Sequence, residues 1–263
     1  MALVTNLQQN PSPFESVTKV GAYEPFDLQV ARGQIAGHSQ VSIFGYQPAV
    51  TTTKIPVWEN ATTYTFPTSA STMTVVSTST SDNTSAIIVI SGLDANFAPI
   101  SETLALNGTT NVTTVNSYLR INSVVMTTPG TSQVSNVGTI TIKQSANIVA
   151  QINPGVGRTQ MSIYTVPAGY TFYLYQVDIN TDNDYSGGSN NTYSVTAFNR
   201  VTGMQYDVLD QPFTAIFSAV RTYTPFVYTE KIDILWQLKT SSNIIGAGII
   251  ITGKLIKNNG QTA

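Results

Sequence analysis

Residues 231–239 read Lys-Ile-Asp-Ile-Leu-Trp-Gln-Leu-Lys (KIDILWQLK). Ile232, Ile234, Trp236 and Leu238 occupy one set of alternate positions, and Asp233, Leu235 and Gln237 the other. A period of two is the mark of a strand, because successive side chains leave a pleated backbone on opposite faces. Residues 171–179 (TFYLYQVDI) repeat it, with Phe172 and Leu174 on one face and Tyr173, Tyr175, Val177 and Ile179 on the other. Residues 86–90 (AIIVI) form a continuous β-branched run, the pattern of a strand buried on both faces. No stretch repeats apolar residues at i, i+3, i+4 and i+7 over three turns, so long amphipathic helices are not expected.

Working outward from 231–239, strands are expected at 162–166, 193–199, 204–209 and 243–256, and 215–220 reads as helix or strand with the strand favoured. Pro167-Ala168-Gly169-Tyr170 is a turn signature, and Arg200-Val201-Thr202-Gly203 a hairpin-like loop. Towards the N-terminus, strands are expected at 72–77, 118–126 and 138–143. Leu104-Ala105-Leu106 runs into Asn107-Gly108, which predicts a type I′ hairpin returning along 109–115, since that turn needs positive φ at both central residues. Residues 144–158 hold Pro154, Gly155 and Gly157 and read as a linker. Residues 1–45 are punctuated by Pro11, Pro13, Gly21, Pro25, Gly33 and Gly37, with one strand-like pulse at Phe26, Leu28 and Val30. The expected organisation is all-β. An extended N-terminal arm (1–45) precedes a β-sandwich domain (46–143), a linker (144–158), a second β-sandwich (159–257) and a C-terminal tail (258–263). The sandwiches are expected to be jelly-roll or immunoglobulin-like (Ig-like).

Composition narrows the function. Charged residues are 10% of the 263, against about 25% in an average soluble chain, and 12 Lys and Arg against 14 Asp and Glu give a net charge of −2. A nucleic-acid binder needs a basic footprint that this chain lacks. With no cysteine there is no disulfide, zinc–thiolate site or Cys nucleophile. His38 is the sole histidine, so a multi-histidine metal site is excluded. The N-terminal residues show no basic start followed by an apolar stretch, so no secretory signal is expected. The longest apolar run, residues 244–256, is interrupted by Thr252 and Lys254 and is short of the ~20 residues of a membrane span.

Four constellations merit chemical weighing. Asp178, Asn180, Asp182 and Asp184 before Gly187 alternate oxygen ligands like a calcium loop. The glycine falls late, and Tyr193 stands where the closing Glu belongs, so a polar hairpin tip accounts for the run better. His38 and Ser39 with Glu24 and Asp27 upstream invite a triad reading, but all lie in the Gly/Pro-rich arm, and an interface histidine is the better reading. Glu59, Asp94, Glu102, Asp207 and Asp210 are scattered carboxylates, whereas a glycosidase needs two facing one cleft. Tyr164, Tyr170, Tyr173, Tyr175, Tyr185, Tyr193, Tyr206, Tyr223 and Tyr228 crowd the second half, a residue type that serves interfaces, carbohydrate-binding surfaces and half-buried strands.

Residues 26–50 (FDLQVARGQIAGHSQVSIFGYQPAV), 56–67 (PVWENATTYTFP), 90–124 and 138–169 cover much of the chain, and resemble virion structural proteins of tailed bacteriophages, above all those of aquatic bacteria. The resemblance implies a non-enzymatic protein of the capsid decoration (cement) type, with no cofactor and no catalytic or metal residue. It implies the major capsid protein as partner, together with self-association as a homo-oligomer, a trimer suiting threefold positions. It places the protein on the outer surface of the virion head, after synthesis in the host cytoplasm, with no nucleic-acid or membrane partner. The expected contact residues are Phe26, Leu28, Val30, His38, Phe44 and Tyr46. The alternative is a tail- or fibre-associated protein that takes part in host-surface adsorption.

Overall fold

The structure, a computed structural model, describes residues 24–181, 191–213, 217–240 and 245–258. One short helix, α1 (Phe26–Ala31), precedes β1 (His38–Val50) and β2 (Ile55–Pro56). Next come β3 (Ser71–Ser77), β4 (Ile87–Leu93), β5 (Pro99–Ala105), β6 (Val112–Tyr118), β7 (Arg120–Thr128), β8 (Ile140–Gln144) and β9 (Asn147–Ile152). The chain continues through β10 (Ile163–Thr165), β11 (Tyr170–Thr181), β12 (Asn191–Asn199), β13 (Gln205–Phe213), β14 (Phe217–Tyr228), β15 (Ile232–Lys239) and β16 (Ile245–Lys257). The molecule is therefore all-β, as its period-two patterning requires.

The strands form four sheets. Their orders are β1-β16-β11-β14, β10-β15-β12-β13 with β2 also on β15, β6-β3-β8-β9, and β5-β4-β7. Two buried clusters hold them together. The first gathers Ile43, Phe172, Val177, Ile249 and Ile251 from the β1-β16-β11-β14 sheet with Tyr193, Val195, Ile234 and Trp236 from the β10-β15-β12-β13 sheet. The second gathers Met73, Val75, Ile140 and Ile142 with Ile88, Ile90, Ile121 and Val124 from the other two sheets.

β15 joins the two clusters. Ile232, Ile234, Trp236 and Leu238 enter the first, while Leu235 enters the second. β10 does the same through Tyr164 and Ile163. The alternation read in 231–239 is thus real, and both of its faces are inside. Each buried large side chain contributes about 1.5–3 kcal/mol, so a strand that is buried on both faces is a concentrated source of stability.

Several expectations give way. Residues 38–45 are not an arm. They begin β1, which pairs antiparallel with β16 from His38↔Ile256 to Gln47↔Ala247. The first strand therefore closes on the last, and β3–β9 lie between β2 and β10 in sequence. The Phe26–Leu28–Val30 pulse is helical, because Leu28 and Gln29 N–H groups donate to Pro25 O (3.0 and 3.1 Å) and Arg32 N–H to Leu28 O. The 144–158 linker contains β9, which folds back on β8 around Ser145 (φ 55°) and buries Val149, Ala150 and Ile152. Ile88 and Ile90 are buried but Ile87 and Val89 only half so, which makes 86–90 a one-faced run. The residues 182–190 of the proposed hairpin tip lie outside the described residues, as do 259–263 of the tail.

Asn107-Gly108 does turn, with Gly108 at φ +59°, but it makes no two-strand hairpin. β5 pairs with β4 and β6 with β3, so the chain crosses between sheets there. Gly108 N–H donates to Asp82 O and Ser77 N–H to Gly108 O, anchoring the crossing. The 200–203 loop is a hairpin between β12 and β13, with Asn199 Oδ1 accepting from Val201 and Thr202 N–H. Gly92 is required by close approach, since a Cβ there would collide with the Arg120 carbonyl oxygen of β7.

Candidate functional site

The most concentrated chemistry lies on the β15 face that turns to the second cluster. Asp233 is 0% exposed and Arg120, at the start of β7, is 4% exposed. Arg120 Nε donates to Asp233 Oδ1 and Nη2 to Oδ2, both at 2.9 Å. Thr165 Oγ1 of β10 donates to Oδ1 at 2.5 Å, and Arg200 Nε donates to Oδ2. Arg120 Nη1 also donates to the carbonyls of Pro67 (2.6 Å) and Leu119 (2.8 Å). Phe66 and Phe97 lie under the Arg120 guanidinium at 5.1 and 5.6 Å, and Phe66 and Phe198 under that of Arg200 at 5.2 and 5.3 Å. Both carboxylate oxygens are held by charge-assisted bonds, so the cluster is a clamp and not a reactive centre. Sequence reasoning did not single out Arg120, Asp233 or Arg200. The available signal was an aspartate inside an apolar alternation.

Other acids are likewise built into the fold. Asp82 is buried, with Oδ2 accepting from Ser77 Oγ (2.5 Å) and Gly138 N–H (2.9 Å) and Oδ1 from Val137 N–H (2.8 Å). Asp94 Oδ1 caps the β4–β5 turn through Asn96 and Ala98 N–H, both 2.8 Å. Glu102 accepts from Val115 and Asn116 N–H at 3.1 and 2.8 Å. Asp207 and Asp210 stand by Lys54 at 4.0 and 3.3 Å, and the Ser194 hydroxyl, ahead of Lys54, holds Asp210 below the usual carboxylate range. Glu59 is different. It is buried, Oε2 accepts from Asn153 N–H at 3.0 Å, and Oε1 has no partner among the described residues. Burial, partly opposed by backbone bonds from Asn153 and Gln160, pushes its carboxyl up to about 7.

A cleft of about 460 Å³ runs beside the edge of β1. Gln40, Val41 and Ser42 form one wall, and Ser91, Leu93, Ile100, Ser101, Asn122 and Ser123 are across from them. Its lining includes no charged side chain. A smaller space of about 100 Å³ continues it past Phe44 and Arg158. β1 is the outer strand of its sheet. Lys257 N–H donates to Gly37 O at 2.7 Å, so odd-numbered residues of β1 turn their backbone groups to β16 and even-numbered ones away. Tyr46 spends its outward N–H on Gln160 O at 3.2 Å. The outward N–H and C=O groups of Gln40, Ser42 and Phe44 have no partner among the described residues.

The expected contact residues divide. Phe26 and Leu28 are 48% and 49% exposed on α1, but Val30 is 2% exposed and packs inward, so it is unavailable to a partner. His38 meets Phe26 edge-on at 5.8 Å, and its Nδ1 lies 3.1 Å from Ala36 O. Asp27 pairs with Lys254, and Glu24 with Arg32 at 2.5 Å, so neither serves His38 and no triad forms. Phe44 lies under the Arg158 guanidinium at 4.2 Å, and Tyr46 is half-buried. Of the metal candidates, Asp178 and Asn180 belong to the extended strand β11, where Asp178 Oδ2 accepts from Gln176. Asp182 and Asp184 lie outside the described residues. Among the described residues no group of three or more His, Asp or Glu side chains is placed to hold a metal ion. Tyr164, Tyr193 and Tyr228 are buried, and burial pushes all three hydroxyls up.

No protein-family model matches the chain, and no curated protein matches it. Among solved structures, the CBM22-1–GH10 modules of Clostridium thermocellum endo-1,4-beta-D-xylanase 10B, complexed with xylohexaose, align at 10% identity and a TM-score of 0.22. That alignment covers 72% of this chain and 29% of the xylanase chain, so this chain spans under a third of it. The infectious bursal disease virus Gt strain aligns at 10% identity and a TM-score of 0.20, covering 91% of this chain and 79% of that one. At such TM-scores neither likeness carries fold or function.

Proposed function

We propose that this chain is a non-enzymatic structural protein of a bacteriophage virion, a decoration protein on the outer surface of the head that binds the major capsid protein. The observation that carries the reading is where the chemistry sits. Arg120, Asp233, Arg200, Asp82, Asp94 and Glu102 are all tied into backbone or ion-pair bonds that fix sheets and turns in place, and the cleft beside β1 is uncharged. Such a molecule resists deformation and offers a surface suited to a neutral, strand-rich neighbour. The segment resemblance at residues 26–50, 56–67, 90–124 and 138–169 supports the same reading.

In this reading the four sheets amount to two sandwich-like units of jelly-roll or Ig-like kind, with β3–β9 inserted into the unit that β1 and β16 close. Bound to an assembled lattice, the protein stabilises the particle by mass action, because binding favours only the assembled state. Phe26, Leu28 and His38 at the α1 corner are the first contacts, with a trimer as the expected form. Cryo-electron microscopy of the intact particle tests it. Density for this chain between capsomers on the outer head is the expected result. Density on the tail or fibres instead replaces decoration with adsorption.

A further inference from the structure

We propose that the cleft beside β1 receives an added β-strand, and that the strand is residues 1–10 of a second copy of this chain. Three observations meet here. The first is the open edge. Gln40, Ser42 and Phe44 present outward N–H and C=O groups at every second residue, the spacing to which a new strand pairs. An unpaired edge of this kind is a template for another chain unless it is covered.

The second is charge. The cleft lining is neutral, its polar side chains being amides and hydroxyls such as Gln40, Ser42, Ser101, Asn122 and Tyr164. A charged side chain entering it would lose hydration and gain no partner. Residues 1–10 (MALVTNLQQN) carry no charged side chain, and the first in the chain is Glu15. Val4 and Thr5 are β-branched, and Pro11, which has no N–H to donate, ends the usable stretch.

The third is reach. Gln40 lines both this cleft and the space bordered by Asp27 and Val30 of α1, so α1 lies beside the cleft. Residues 11–23 span up to ~43 Å when extended at ~3.3 Å each, enough to carry residues 1–10 off their own molecule and onto a neighbour. The proposal goes beyond the decoration reading. It concerns the chain in solution, with no particle present, so either idea can fail alone.

The test uses the full chain, a variant lacking residues 2–10, and the synthetic peptide MALVTNLQQN carrying a fluorophore. The full chain is expected to self-associate by sedimentation velocity and the shortened chain to be monomeric. The peptide is expected to bind the shortened chain saturably by anisotropy. Ser42→Pro deletes one outward N–H without touching the β16 ladder, and should weaken peptide binding at least tenfold. Ser101→Arg, at an exposed position on the far wall, should do the same without depending on the backbone of β1. Equal mass for full and shortened chains, with no peptide binding, overturns the proposal. So does peptide binding that survives both substitutions. A monomeric full chain whose shortened form binds the peptide shows that the strand folds back on its own molecule, and overturns the second copy. Binding of a neutral hexasaccharide but not the peptide makes the cleft a sugar site and overturns the strand.

Discussion

Asp233 and Glu59 are both buried carboxylates, and their surroundings differ in kind. Asp233 meets two guanidinium groups and a hydroxyl, so its charge is answered within the junction. Glu59 Oε2 accepts from Asn153 N–H, and its Oε1 has no hydrogen-bond partner among the described residues. Burial without a cation favours the neutral acid, which is why Glu59 is pushed up to about 7. The difference teaches that in a chain of few charges it is the partner supplied by another sheet that decides whether a buried acid is a bolt or a proton-sensitive point.

The sharpest way to break this comparison is to remove the answering charge. Asp233→Ala leaves Arg120 buried without its carboxylate, and should cost about 3–5 kcal/mol by chemical denaturation. A loss under 1 kcal/mol would show that the junction contributes packing and no more. Leu235→Ala, on the same face of β15, creates a cavity without touching charge and should cost about 2–5 kcal/mol. Because β15 belongs to both clusters, both variants should unfold in one transition; two separate transitions would mean that the clusters are independent.

Glu59→Gln sharpens the other half. A folded-state acid raised from 4.5 to about 7 favours the protonated form, so the native state should lose stability as pH rises from about 4.5 to about 7 and recover none above it. The full effect is on the order of 3 kcal/mol at 1.36 kcal/mol per pKa unit. Glu59→Gln should flatten that slope in thermal melts between pH 5 and pH 8, while a slope unchanged from the parent would assign it to other groups. The smallest effect is expected at the surface. Asp27→Asn breaks the exposed pair with Lys254 and should change stability by less than about 1 kcal/mol. A larger loss would mean that α1 depends on that pair for its place beside β1.

How much of this was legible in advance varies with the range of the interaction. Strand identity was legible in residues 171–179 and 231–239, because a period of two is a local consequence of the pleat, but the faces of 171–179 were not: a bulge between Leu174 and Gln176 puts Val177 and Ile179 in the same cluster as Phe172 and Leu174. The 200–203 hairpin was legible too, because Asn199 and Gly203 act within the loop itself. The Asn107-Gly108 turn was recognised, but its partner strands were not. The turn fixes a change of direction, whereas the burial of Leu104 and Leu106 in the second cluster goes with β5 pairing to β4 and not to β6. Phe26–Val30 misled because three alternate apolar residues are too few to separate one strand from one helical turn. The candidate site was the least legible. Its open edge depends on which side of β1 meets β16, a fact separated by some two hundred residues of chain.

The sequence alone determined the all-β class, the absence of thiol and multi-histidine chemistry, and the scarcity of charge, since these follow from composition and from neighbours one or two residues apart. The tertiary structure decided that residues 38–50 close on 245–257, that both faces of 231–239 are buried, that Asp233 is answered by Arg120 and Arg200 while Glu59 is not, and that one edge of β1 is unpaired among the described residues. These depend on contacts between residues far apart in the chain, where pairing register and burial are settled by packing and no local pattern records the partner.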